Sequence, residues 1–194
     1  MNPMNPVNLK GRLAIINQHY WLYPNAISKD QCELILKEAS WDKQHTAEYM
    51  KDKESLVNKD IRKTTVTFEP YYSPVGCILT THMLEINRHQ WNYDIRGIQD
   101  IQIAHYTEGG HYDWHTDAVP PDESNVQRKL SAVLMLSDLN DYEGGVLEIK
   151  DSEMPPLQQG TLIVFPSFMR HRVTKVTKGN RFTAVAWAVG PAFR

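Results

Sequence analysis

The stretch Tyr106-Thr-Glu-Gly-Gly-His-Tyr-Asp-Trp-His115-Thr-Asp117 decides how the rest of the chain is read, and its last three residues carry the decision. On a β-strand, side chains two apart share a face, so His115 and Asp117 would present an imidazole and a carboxylate side by side. Two such groups hold a metal ion poorly, and a third has to come from elsewhere. His171 is the candidate. It follows the apolar run Thr161-Leu-Ile-Val-Phe165 and the turn signal Pro166-Ser167, so a neighbouring strand would bring it in. Ten residues later Arg181 opens Arg181-Phe-Thr-Ala-Val-Ala-Trp187, in which Arg181, Thr183, Val185 and Trp187 alternate with Phe182, Ala184 and Ala186. An inward-facing guanidinium needs an anion beside it, because burying it unpaired is costly.

Two His and one carboxylate on one face of an octahedron, with the opposite positions open, is the arrangement of non-haem Fe(II) oxygenases. A dicarboxylic cosubstrate would supply the anion for Arg181. Tyr106, Gly109-Gly110, His115-x-Asp117, the strand Leu130 to Leu136 with Gly144-Gly145-Val-Leu147, His171 and Arg181 occur in a fixed order. That ordered set resembles the 2-oxoglutarate- and Fe(II)-dependent oxygenases of the prolyl 4-hydroxylase-like branch, over residues 99–190.

The resemblance implies Fe(II) held by His115, Asp117 and His171, with 2-oxoglutarate as cosubstrate and O2 as oxidant. Arg181 would pair with the far carboxylate of 2-oxoglutarate, Tyr106 would reach it or the pocket mouth, and Thr183 would add a hydroxyl. Ascorbate would support turnover. The implied reaction is hydroxylation of a C–H bond with release of succinate and CO2, the substrate being a peptidyl prolyl residue. A free amino acid or small metabolite is the alternative substrate, and a non-redox cupin-like metal protein is the alternative class. A cupin would have no need of Arg181, and a structural zinc site would close a fourth ligand around the ion. Met135 stands where the family often places a tyrosine, which leaves open the residue that shares the far carboxylate with Arg181. The nucleic-acid dealkylase branch would show Arg-x-Asn, where this chain has Arg181-Phe-Thr183.

The 194 residues suit a single domain, 1–96 as an N-terminal helical support region and 97–194 as a β-helix core. A formal net charge of −2 argues against a nucleic-acid partner and against membrane attraction, and no apolar run is long enough to span a bilayer. Only Cys32 and Cys77 are present, so no disulfide framework is indicated. The residues Met1 to Lys10 carry two Asn-Pro steps and no apolar h-region. A cytoplasmic enzyme acting on a peptide, protein or small molecule is the expectation, with the oligomeric state open.

Along the chain, Met1 to Leu9 is expected to fray, and Leu13 to Ile16 and Tyr20 to Tyr23 to be extended. Ser28 with Gln31 forms a capping-box pattern ahead of a helix over 29–39 whose apolar side is Cys32, Leu34, Ile35 and Ala39. Residues 41–60 read as a mobile loop and Lys63 to Phe68 as a strand. The three- and four-residue spacing of Ile78, Leu79, His82, Met83, Ile86 and Trp91 predicts a second helix. Short strands follow at about 100–106, 113–117, 130–136, 145–149, 161–165, 171–176 and 181–189. The fold class is mainly β with N-terminal helices. The resemblance narrows it to a double-stranded β-helix, a jelly roll with the helices packed on one sheet. His105 and His111 read as strand-edge or loop residues, and substrate choice would fall to the 41–60 and 118–128 loops.

Overall fold

The computed structural model describes residues 5–9, 12–16, 19–51, 54–118, 120 and 125–193. The strands β1 (Asn5–Leu9), β2 (Arg12–Ile16) and β3 (Trp21–Tyr23) precede helix α1 (Lys29–Glu38). Then come β4 (His45–Thr46), β5 (Tyr49–Lys51), β6 (Glu54–Leu56), β7 (Arg62–Lys63) and β8 (Thr65–Glu69), followed by helix α2 (Pro74–Gln90). The remainder is β9 (Gly97–Ile98), β10 (Ile101–Tyr106), β11 (His111–His115), β12 (Val126–Met135), β13 (Tyr142–Gly144), β14 (Leu147–Ile149), β15 (Leu162–Pro166), β16 (His171–Val173), β17 (Val176–Gly179) and β18 (Arg181–Pro191).

The larger sheet runs β1-β2-β3-β15-β12-β18-β10-β8-β4, with β9 beside β18, and the smaller runs β14-β16-β11-β7. Its centre is the antiparallel pair β12–β18, in register from Leu130↔Ala188 to Met135↔Thr183. Both faces of that pair are buried, and the two-residue alternation assigns each side chain to one of them. Leu130, Ala132, Leu134, Ala184, Ala186 and Ala188 face α2 through its Val75, Leu79, Met83 and Ile86. Val133 and Met135 face the other way, into the space between the sheets, with Ala104, Tyr106, Leu147 and Val173. The result is a jelly roll with helices on the outer face of its larger sheet.

Local chemistry sets the helix starts. Ser28 Oγ accepts from the Gln31 N–H and the Gln31 side chain accepts from the Ser28 N–H, completing the capping box. Ser73 caps α2 in the same way through the Gly76 N–H, with Pro74 at the first helical position, where its missing N–H costs nothing. No helix among the described residues is long and apolar enough to cross a membrane.

Several expectations change. Asn5–Leu9 is a strand paired with β2, where fraying was expected, while residues 1–4 lie outside the described ones. Leu34 is 51% exposed, and Leu36 packs on the core in its place because α1 lies on the sheet through the Cys32–Leu36 stripe. The expected 41–60 loop holds a 3-10 turn and three short strands, of which β4 extends the larger sheet by pairing with β8; residues 52 and 53 lie outside the described ones. The expected strand over 63–68 divides at Thr64, β7 entering the smaller sheet and β8 the larger. Residues 119 and 121–124 of the expected 118–128 loop also lie outside the described ones, and β12 already begins at Val126.

Leu79 is fully buried between α2 and the alanine face of β18. Leu79→Ala should therefore cost about 2–5 kcal/mol, read as a lower midpoint in thermal or denaturant unfolding. An unchanged midpoint would mean that α2 is not packed on this sheet.

Candidate active site

His115 is the last residue of β11 and lies opposite His171, the first residue of β16, in an antiparallel pair. The register alone therefore brings together two imidazoles that are 56 positions apart in the chain. Their ring centroids are 4.1 Å apart. Asp117 reaches the same point by another route from the one its spacing suggested. It lies past the end of β11, where its N–H and that of Ala118 both donate to the Ser167 carbonyl at 2.9 Å. This turn swings the carboxylate back, placing Oδ1 3.7 Å from His115 Nε2 and Oδ2 3.5 Å from His171 Nε2. The three potential ligand atoms all lie within 4.8 Å of one another.

The hydrogen bonds around the triad prepare it for an ion. His115 Nδ1 lies 2.7 Å from the Asp113 carbonyl and His171 Nδ1 2.9 Å from the Met169 carbonyl. A carbonyl can only accept, so each Nδ1 carries a hydrogen, and each Nε2 is the atom turned toward Asp117. Burial, with His171 adding to it, pushes the His115 imidazolium down to about 3, so the ring is neutral at physiological pH. Ser131 Oγ donates to Asp117 Oδ2 at 2.7 Å, and Ser167 Oγ lies 2.9 Å from Ser131 Oγ. Burial opposes ionisation of Asp117. The His171 and His115 rings, Arg128 and the Ser131 hydroxyl outweigh it and hold the carboxyl well below its usual range. The donor set is thus two imidazoles and one carboxylate, a combination that suits a first-row transition-metal dication with open positions.

A cavity of about 490 Å³ opens beside the triad. Arg181, Thr183, Val185 and Trp187 line it along β18, the alternation having put them on the inner face. Arg181 is 1% exposed and no carboxylate pairs with it among the described residues. Its Nε has no acceptor, and its Nη2 rests against Met135 Sδ at 3.7 Å. Tyr106 lies directly opposite Arg181 in the β10–β18 register, its ring centroid 5.2 Å from the guanidinium carbon. Thr183 pairs with Met135 on one side and Ala104 on the other. Met135 therefore sits beside Arg181, where the missing tyrosine left a question, and Tyr142 is buried close by with Arg181 acting on its phenol.

Gly145 explains the second Gly-Gly pair. It has φ +58°, and a Cβ there would lie 2.8 Å from Arg181 Cδ. The glycine leaves the room in which the arginine side chain lies.

The other histidines flagged in the sequence stay out of the triad. His105 Nε2 meets Asn180 Oδ1 at 2.8 Å, and the His111 nitrogens meet the Gly109 and Asp60 carbonyls. Two basic residues near His171 in the chain are paired at the surface, Arg172 with Glu148 and Lys178 with Glu143. Tyr112, Trp114 and Trp187 all line the cavity, as do His45 and Glu48 from the 41–60 segment. Sequence reasoning missed Arg62 and Arg128, which line it too. Arg62 falls just ahead of the strand expected from Lys63, where no alternation assigns it a face. Arg128 was hidden by a bulge between Arg128 and Leu130, which breaks the alternation that counting back from Ser131 would follow.

Residues 101–189 match the family described as the 2OG-Fe(II) oxygenase superfamily. A PKHD-type hydroxylase of Teredinibacter turnerae is 39% identical over 88 residues, which are 42% of this chain and 39% of that protein. A PKHD-type hydroxylase of Synechococcus sp. (strain JA-2-3B'a(2-13)) is 41% identical over 95 residues, 46% of this chain and 42% of that protein. The matched stretch thus spans well under half of those relatives' own length. Among solved structures, the viral collagen prolyl hydroxylase of Paramecium Bursaria Chlorella virus-1 superposes with a TM-score of 0.68 at 19% identity, covering 89% of this chain and 96% of that one. A Pseudomonas putida prolyl-4-hydroxylase gives 0.67 at 20% identity, covering 88% and 92%. These two establish likeness of fold. Residues 101–189, which build the triad and carry Arg181, are thus similar to the 2OG-Fe(II) oxygenase superfamily over somewhat less than half of the chain.

Proposed function

We propose that the protein is an Fe(II)- and 2-oxoglutarate-dependent dioxygenase that hydroxylates a C–H bond, with a peptidyl prolyl residue as its substrate class. The observation that carries the reading is Arg181, a deeply buried guanidinium with no acidic partner among the described residues, in the same cavity as two imidazoles and a carboxylate. A metal protein without an anionic cosubstrate would leave that buried charge unexplained. The prolyl assignment draws on the prolyl hydroxylases among the proteins of like fold, and on the peptide fragment bound to the Trichoplax adhaerens prolyl hydroxylase.

In this reading His115, Asp117 and His171 hold Fe(II), and Arg181 takes the far carboxylate of 2-oxoglutarate in a charge-assisted, bidentate pair. Fe(II) with 2-oxoglutarate and O2 supplies oxidative decarboxylation to succinate and CO2 coupled to hydroxylation, with ascorbate as supporting reductant. The chain's part is placement. Asp113 and Met169 fix the two imidazoles through their carbonyls, and Ser131 orients the carboxylate. Tyr106 and Thr183 flank Arg181, and the apolar walls Val133, Leu147 and Val173 keep water from the cosubstrate. Residues 1–194 act as one catalytic unit in this proposal, in a cytoplasmic setting consistent with two free cysteines.

The purified protein should release succinate from 2-oxoglutarate when given Fe(II), ascorbate and a prolyl peptide, and His171→Ala should abolish that release. Unchanged turnover in the variant would remove the assignment. Arg181→Ala should weaken 2-oxoglutarate by about 2–5 kcal/mol while metal binding persists, measured by calorimetry on the Mn(II) form. Gly145→Ala should weaken it as well, since the new methyl group displaces Arg181 Cδ. Ser131→Ala should lower metal affinity by about 10–100-fold without unfolding the protein, as loss of the group that orients a ligand does elsewhere.

A further inference from the structure

The triad and Arg181 leave part of the cavity's chemistry unused. Arg62 and Arg128 both line it, and neither forms an ion pair with a described carboxylate. Arg62 is 7% exposed; its Nη1 donates to the Glu48 carbonyl at 2.6 Å, and its Nε has no acceptor. Its guanidinium lies 4.5 Å from the centroid of the Tyr112 ring, which itself stacks on His115 with centroids 3.5 Å apart. Arg62 is thus one ring removed from the triad. Arg128 donates through Nε to Gln99 and lies 3.8 Å from the Trp187 ring centroid. Trp187 is also 7% exposed, with a buried Nε1 that has no acceptor. Burial disfavours the Arg128 charge, while Asp117 supports it from beyond ion-pair distance.

Trp187, with Arg128 over its ring, lies away from the cosubstrate's arginine. Arg181 and Trp187 are six positions apart on β18, about 20 Å along the strand. Ser131, whose hydroxyl holds Asp117, is directly opposite Trp187. A five-carbon diacid anchored at Arg181 and running toward the triad would not extend past it to Arg128. Charge points the same way. Fe(II) balances the two carboxylates of 2-oxoglutarate and Arg181 balances Asp117, which leaves two guanidiniums against the one further carboxylate of the lining, Glu48, and so a net positive charge to be matched by whatever enters next. Buried donors without acceptors are expensive, and an acceptor-rich group resolves several at once.

We propose that the substrate presents a carboxylate to Arg62 and Arg128, with the Trp187 indole N–H as a further donor. The inference rests on the dioxygenase reading and deepens it by naming a chemical feature of the substrate. The carboxylate can come from a free amino acid, from the C-terminus of a peptide, or from an acidic residue next to the hydroxylated one.

The test is anaerobic calorimetry on the Fe(II)·2-oxoglutarate protein with matched acid and amide pairs. L-Proline against L-prolinamide probes the free amino acid, acetyl-Gly-Pro against its amide probes the C-terminus, and acetyl-Pro-Asp-amide against acetyl-Pro-Asn-amide probes the acidic neighbour. In at least one pair the acid should bind at least about tenfold tighter than its partner, and Arg128→Gln and Arg62→Gln should each erase most of that difference. The pair that discriminates identifies the source. Equal binding of acid and amide in every pair, no binding by any acid, or a preference that survives both substitutions would overturn the proposal. Titrating the same wild-type and variant proteins with 2-oxoglutarate separates the two readings. Retained cosubstrate binding leaves the dioxygenase reading intact whatever the acids do, and its loss in wild type removes that reading instead.

Discussion

Everything in this molecule hangs on the antiparallel pairing of β12 with β18. Two strands buried on both faces must sort every side chain to one side or the other, and a one-residue slip would exchange the two sets. In the register found, Ala184, Ala186 and Ala188 lie against α2, small enough for a helix to pack closely on the sheet. The same register turns Arg181, Thr183 and Trp187 inward. Apolar packing that seats the helices therefore also fixes a guanidinium, a hydroxyl and an indole in the cavity. The function depends on that alternation as much as the core does.

The triad is assembled by a second register, that of β11 with β16, and by one turn. His115 and His171 meet because they are cross-strand partners, and Asp117 joins them because Ser167 captures two consecutive N–H groups beyond the strand end. Ser131 on β12 then reaches the carboxylate, so the smaller sheet's site is tied to the larger sheet by one hydroxyl. Each imidazole has its tautomer set by a carbonyl two residues earlier in its own chain segment. Little reorganisation is left for a metal ion to impose.

Much of this was legible in the residues. The order His115, Asp117, His171, Arg181 pointed to the chemistry, the Ser28 cap located the first helix, and the apolar spacing from Ile78 to Trp91 located the second. The reason offered for His115 and Asp117 sharing a face was wrong in detail, because the strand ends at His115 and the turn does the work. The 41–60 segment was unreadable because its strands are two or three residues long, too short for periodicity to register, and are held by pairing with distant partners such as β8. Arg62 and Arg128 were missed for a related reason. Arg62 falls between the expected 41–60 loop and the strand expected from Lys63, Arg128 at the end of the expected 118–128 loop, and only the fold reveals that these two turn toward a cavity.

The central claim is that a redox-active divalent ion and a dicarboxylate meet here, with Arg181 at the far end of the dicarboxylate. Anaerobic absorption spectroscopy of the Fe(II) protein titrated with 2-oxoglutarate tests it most directly. The account predicts a saturable metal-to-ligand charge-transfer band in the wild-type protein, shifted to much higher cosubstrate concentration when Arg181 is replaced. A wild-type protein that binds Fe(II) yet develops no such band at saturating 2-oxoglutarate would contradict it.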